Sequence, residues 1–376
     1  MYFDSSEFKD RVSRTRAQME KEDLELLLLF GQEAVYWLSG FYTPAYFAYT
    51  VFGLPMHGEP FLVLRSMEDP AAKVTSWVEN RLPYNDNESP IASVCEAVKT
   101  RGLDRARIGI DKQSWYLTAE RYEQLCSAFP GAVLVSENRM IDKLRIRKSP
   151  AELGYLREAG RIVSAGMQAA FDATLPGVTE RHIAAAMASA RVSAGSDLPI
   201  DGVLTTGERT VEGHGPWTDR VLREGDLLHY EFHGIKNHYW ARMLRCGVLG
   251  QPTKEQQSDA EIILEAHNNA LRHMRPGVHV RVIDDLCRTP LIKAGLRPRE
   301  TWVNRVGYGL GLNFRPTPGD FLFEFTPDAD FVLEPGMVFH MILGAKGMGV
   351  SDTVAVTTDG VEFITRFPRK LIVRPA

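Results

Sequence analysis

Two stretches of this chain repeat one another 100 residues apart, and that repeat limits what the second half can fold into. Leu175-Pro176-Gly177-Val178 leads into a helical run to Met187, and Arg275-Pro276-Gly277-Val278 leads into another to Leu286. After a gap, each run is followed by an apolar strand entered through a tight turn, Leu222 to Glu231 in one copy and Leu333 to Ile342 in the other. Six residues past the turn glycine (Gly225 or Gly336) stand Glu231 and Ile342. Such self-similarity marks a duplicated α+β unit whose halves face each other, with a pocket on the seam.

At 376 residues the chain exceeds what one hydrophobic core usually holds, so two domains are expected. A formal net charge of −4 gives no electrostatic case for nucleic acid or an anionic membrane surface, which leaves a small molecule or a second copy of the chain as the partner. No apolar run approaches the roughly 18 residues that span a bilayer, and residues 1–9 lack a signal-peptide layout. Cys95, Cys126, Cys246 and Cys287 are scattered, without a CxxC pair, and read as free thiols in a reducing cytoplasm.

Residues 6–21 have helical spacing, and strand-like segments follow at 24–30, 60–64, 106–110 and 132–135, with helical stretches at 90–99 and 119–127 between them. That pattern predicts an N-terminal α/β domain over residues 1–142. A basic crossing then meets Ser149-Pro150-Ala151-Glu152, where Ser149 caps a helix with proline at its first position and glutamate at its third. The duplicated unit occupies the second domain, residues 143–376.

Several features together resemble the pita-bread family of methionine aminopeptidase, prolidase and creatinase. They are the Arg147-Lys148-Ser149-Pro150 entry, the Leu-Pro-Gly-Val repeat, the Leu333-Glu334-Pro335-Gly336-Met337-Val338-Phe339 turn and the terminal Ser351-Asp352-Thr353 run. The resemblance implies a pita-bread C-terminal domain behind a creatinase-like N-terminal domain. In the metallopeptidase branch it also implies two aspartates, a histidine and two glutamates around a metal pair that activates water. In this chain those five positions carry Glu231, Arg242, Tyr308, Ile342 and Ser351. One carboxylate in five, with a cation at another position, predicts no metal there and no cofactor.

Metal loss with retention of the fold resembles the creatinase and ectoine hydrolase branch, which cleaves carbon–nitrogen bonds without metal. The segment that carries this likeness runs from Thr205 to Arg220; His214 stands eleven residues before Gly225, the spacing of that branch's catalytic histidine, and Trp217-Thr218-Asp219-Arg220 follows it. Histidine is the side chain best able to take and return a proton near neutral pH. His214 is therefore the expected general base and acid, with Glu208 and Glu212 either bonded to it or solvated. Glu231 is either a partner of Arg242 or Arg245 or the group that orients substrate.

His229 and His233 share one strand face, and His238 lies on the other, an arrangement that does not predict shared metal ligation. The aromatic run 36–47, including Tyr46 and Phe47, lies where related dimers reach into the neighbour's pocket. Tyr46, Phe47, Arg65, Trp217, Arg242 and Tyr308 are the expected substrate contacts. The reading is a cytoplasmic homodimer that hydrolyses a non-peptide C–N bond in a small cyclic amidine, guanidino or amide compound, with a compact zwitterion matching Glu231 and the arginines. The rivals are an Xaa-Pro-type metallopeptidase and a non-catalytic binding or scaffold protein of the same fold.

Overall fold

The computed structural model describes residues 2–45, 48–198, 202–299, 301–314 and 320–376. Tyr46 and Phe47 lie outside them. The chain divides into two compact units, residues 1–145 and 146–376. The division falls three residues beyond the boundary read from the sequence, because the basic crossing begins as a helix.

The first unit is built from α1 (Ser5–Lys21), β1 (Leu26–Leu29), α2 (Gln32–Ser39), β2 (Val51–Pro55), β3 (Phe61–Arg65), α3 (Asp69–Thr75), β4 (Asn80–Tyr84), α4 (Pro90–Lys99), β5 (Arg107–Ile110), α5 (Ala119–Ala128), β6 (Val133–Ser136) and α6 (Met140–Arg145). Its six strands lie in the order β4-β3-β2-β1-β5-β6. Leu26 to Leu29 are all fully buried, as a continuous aliphatic run at the centre of a covered sheet must be. Within the single chain, part of the aromatic run is core: Tyr36, Trp37 and Phe41 are buried, and the Arg11 guanidinium lies 5.1 Å from the Trp37 ring while donating to its carbonyl oxygen.

The second unit opens with α7 (Pro150–Asp172) and α8 (Glu180–Ser193), then β7 (Val203–Thr206), β8 (Leu227–Lys236) and β9 (Tyr239–Leu249). The second half of the repeat supplies α9 (Lys254–His273), α10 (Val280–Lys293), β10 (Gly307–Gly309), β11 (Asp320–Glu324), β12 (Val338–Ala345) and β13 (Met348–Val356); β14 (Val361–Phe363) and β15 (Ile372–Arg374) close it. The main path of the sheet runs β11-β10-β12-β13-β9-β8-β7. The repeat is real down to its hydrogen bonds. Gly177 and Gly277 have φ of 81° and 82°, and their amides donate to the carbonyls of Leu222 and Leu333 in matching bridges. Only a residue without Cβ adopts that backbone at no steric cost.

The predicted cap before α7 is present in both directions. Ser149 Oγ accepts from the Glu152 amide, and Glu152 Oε2 accepts from the Ser149 amide at 2.7 Å. Glu152 Oε1 also accepts from Tyr239 Oη at 2.7 Å, so the cap fixes α7 on β9 as well. Two glycines permit the close packing of this helix: a Cβ on Gly234 would strike the carbonyl of Ala159, and one on Gly160 the carbonyl of Ile364. With α7 on that face, the odd-numbered residues of β8 are left to the other.

Candidate active site

Strand parity gathers the site. Glu231 pairs with Leu244 across β8 and β9, Leu244 with Ser351, Ser351 with Ile342, and His340 with Tyr308, so all of these and Arg242 project from one face of the sheet. On that face runs a hydrogen-bonded chain through four of the five positions that would bear metal ligands. Arg242 donates through Nη2 to Glu231 Oε1 at 2.6 Å and through Nη1 to Tyr308 Oη. Tyr308 Oη lies 2.9 Å from His340 Nδ1, and His340 Nε2 lies 2.6 Å from Ser351 Oγ. Every member is buried, so polar atoms left unbonded would carry a desolvation cost, which this chain offsets at all but Arg242 Nε, buried without a hydrogen-bond partner among the described residues.

The electrostatics follow from that burial. Desolvation works against the Arg242 guanidinium, yet the charge of Glu231 and the hydrogen bonds around it outweigh the loss and raise its pKa. Burial, reinforced by the Arg242 charge, holds His340 well below the ordinary imidazole range, and it raises the Tyr308 phenol. Burial thus favours the uncharged imidazole of His340, which sits between two hydroxyls. The donor set does not fit the family's metal pair. One carboxylate remains, its oxygen is taken by a guanidinium, and two divalent ions need several hard oxygen ligands. Among the described residues no group of three or more His, Cys, Asp or Glu side chains is placed to hold a metal ion.

Beside this chain lies a cavity of about 360 Å³, lined by His229, Glu231, Leu244, Ile342 and the turn Gly344 to Gly349 from the sheet, and by Thr210, Val211, Gly213, Arg297, Trp302, Asn304 and Arg305 from the loops. The repeat's equivalent positions, Glu231 and Ile342, both face it, as the seam argument required. His229 stands two residues before Glu231 on the same strand face, with Nδ1 3.0 Å from the carbonyl of Gly347. That carbonyl can only accept, so Nδ1 carries the hydrogen and Nε2 is left with a lone pair. Burial lowers the His229 pKa, against the opposing pull of the Gly347 carbonyl and Glu231.

The expected residues are distributed as follows. Glu231, Arg242 and Tyr308 come together as one network. His214 is exposed at the apex of the 207–220 loop and, among the described residues, has no hydrogen-bond partner; its neighbour Gly213 lines the cavity. Neither loop acid reaches it, because Glu208 pairs with Arg220 at 2.7 Å and Glu212 with Arg209 at 2.8 Å. Buried Glu180 anchors the base of that loop by accepting from Thr206, Thr218 and Arg209. Trp217 is half-buried in the same loop, outside the cavity lining. Arg65 makes an ion pair with Asp86 in the first unit. Arg245, the alternative partner expected for Glu231, is instead buried against Asp352 at 2.8 Å on the opposite parity. His238 occupies the β8–β9 turn at φ 64°, with its pKa pushed down to about 4 by burial, so it belongs to neither strand face. Sequence reasoning missed His229 as a cavity residue, together with Arg297, Trp302 and Asn304; the alternation of His229 with Glu231 was the available signal for the first.

An α/β domain followed by a duplicated pita-bread domain defines a class of hydrolases, and the sequence comparisons agree. The model described as metallopeptidase family M24 matches residues 154–358, more than half of the chain, and the chain belongs to that family; the creatinase/prolidase N-terminal domain matches residues 11–147. Ectoine hydrolase of Halomonas elongata is 25% identical over 395 residues, covering 99% of this chain and 98% of that protein. An Xaa-Pro dipeptidase of Lactobacillus helveticus is 26% identical over 324 residues, covering 84% and 86% respectively. The dipeptidase PepE of Mycobacterium ulcerans superposes with a TM-score of 0.85 at 24% identity, over 100% of both chains, a likeness of fold. No helix among the described residues is long and apolar enough to cross a membrane.

Proposed function

We propose that this M24 hydrolase cleaves a non-peptide C–N bond in a small amide, cyclic amidine or guanidino compound, with a histidine as proton carrier and without the family's metal pair. The observation that supports this reading is Arg242, whose guanidinium bridges Glu231 and Tyr308 at positions where the metallopeptidase reading needs ligands. Ectoine hydrolase, among the similar proteins, supports the bond class. His229 is the better placed acid–base group, because its ring lines the cavity and its Nε2 is the lone-pair edge. In the reaction, water adds its oxygen to the electrophilic carbon while Nε2 takes the proton. The imidazolium then gives that proton to the departing nitrogen as the C–N bond breaks. His214, on the loop whose Gly213 meets the cavity, is the second candidate for the same role.

The test is a screen of small amides, cyclic amidines and guanidino compounds in excess chelator, with elemental analysis of the protein. Activity should survive chelation, and H229A should lower kcat by at least about 100-fold while H214A changes it less. Turnover of Xaa-Pro peptides that depends on added divalent metal would favour the metallopeptidase instead.

A further inference from the structure

Among the described residues three cations line the cavity, and they are not equivalent. Lys346 is held by Glu255 at 2.9 Å and Asp259 at 3.0 Å, and Arg305 is paired with Glu324. Arg297 has no acidic partner among the described residues. Its Nε donates to the carbonyl of Gly344 at 2.8 Å, which fixes the guanidinium against β12 and leaves both Nη groups unspent. The side chain is half-buried, and burial alone lowers its pKa, the signature of a cation desolvated without compensation. Since Arg242 already satisfies an oxygen of Glu231, the cavity carries a positive charge at Arg297 with no answering anion among the described residues.

The surroundings of Arg297 are built rather than incidental. Arg288, gripped by Asp284 at 2.7 Å, donates to the carbonyls of Trp302 at 2.9 Å and Asn304 at 2.7 Å, so it holds both residues at the cavity wall. The Arg297 guanidinium carbon lies 5.5 Å from the Trp302 ring centre. An organic anion placed there meets a planar donor fork and an indole surface together. Arg297 is tied to β12, and His229 and Glu231 stand on β8, with β13 and β9 between. Three strand spacings amount to about 14 Å along the sheet, which the two side chains shorten from either end.

We infer that Arg297 is a carboxylate anchor, and that the ligand of this cavity is a small organic acid whose scissile C–N group lies several bonds from the carboxylate, as in an N-acyl amino acid. This rests on the reading of the cavity as the hydrolase's site, and it replaces the zwitterion expected from sequence. With Glu231 paired to Arg242, a cationic nitrogen would find no free anion among the described residues, whereas a neutral amide needs none.

Calorimetric titration of the full-length protein tests the inference without requiring turnover. The probes are N-acylglycines of increasing acyl length, each beside its C-terminal carboxamide, with glycine and inorganic phosphate as controls. The acid should bind at least about tenfold more tightly than its carboxamide; R297Q should erase that preference, and R297K should keep part of it. Equal binding of acid and amide, an undiminished preference in R297Q, tighter binding of phosphate or glycine, or no binding of any acid would each overturn it. The acid–amide comparison on the native protein decides the matter even if R297Q does not fold. Tight, Arg297-dependent binding of acids with no hydrolysis of any C–N substrate would remove the hydrolase reading and leave the anchor standing.

Discussion

The pair between Glu231 and Arg242 should dominate the local stability of β8 and β9. Glu231 is 5% exposed and Arg242 9%, and their atoms meet at 2.6 Å, so removing one partner strands the other charge away from water. Arg242→Met should therefore cost about 3–5 kcal/mol, with Glu231→Met in the same range. The double variant places two flexible apolar side chains where the pair stood and should fall within about 1–2 kcal/mol of the native protein, because such replacements of buried pairs are often near neutral. Single losses that do not add imply a coupling of several kcal/mol, which a double-mutant cycle reads directly. The assay is hydrogen exchange of the β8 and β9 amides together with chemical denaturation, since exchange resolves this sheet from the rest of the chain. A loss below about 1 kcal/mol in R242M, or simple additivity in the double variant, would refute the view that this guanidinium neutralises the carboxylate.

Other tests follow from separate parts of the molecule. Burial, aided by the charge of Asp142, raises the Glu137 carboxyl from 4.5 to about 7 in the folded chain. Its protonated form is favoured by folding, so stability contributed below pH 4.5 is lost as pH rises through about 7; E137Q should flatten that slope and recover up to about 3 kcal/mol at pH 8, measured by urea denaturation across pH. Gly160→Ala should cost several kcal/mol in the same assay, because the new methyl meets backbone that cannot yield; a loss under about 1 kcal/mol would show that α7 can shift. We also expect a homodimer in solution, and light scattering that gives a fully active monomer would remove that expectation.

Much of this was legible in the sequence because it was periodic or local. The capping box at Ser149 spans only four residues, and the repeat announced both turns and both inward-facing positions, Glu231 and Ile342. Besides the helix Met140–Arg145, read as a basic crossing, four elements of the first unit escaped for physical reasons. The helix Gln32–Ser39 is buried on nearly every side and so shows no amphipathic period, the strand Val51–Pro55 contains glycine and proline, the edge strand Asn80–Tyr84 is polar and tolerates Pro83, and Asp69–Thr75 spans only two turns. At the site, the choice between Arg242 and Arg245 as the partner of Glu231 depends on strand register, which sequence leaves open. Once Glu231 faces Leu244, Arg242 shares its side and Arg245 must turn away to Asp352. Arg297, Trp302 and Asn304 lie on connecting chain, where no periodicity marks an inward residue.

Arg242 makes the charge at the centre of this face a property of the polypeptide rather than of its surroundings. A bound ion exchanges with solvent at a rate set by its affinity, whereas a guanidinium on a strand residue has no off-rate, and its occupancy is fixed when the chain is made. The restriction that comes with it is directional. An ion accepts donors from all sides, but a guanidinium presents five N–H groups in a single plane, so the residues that meet it at 231 and 308 must approach within that plane. Drift at either position is thereby narrowed to side chains that can accept a hydrogen bond edge-on.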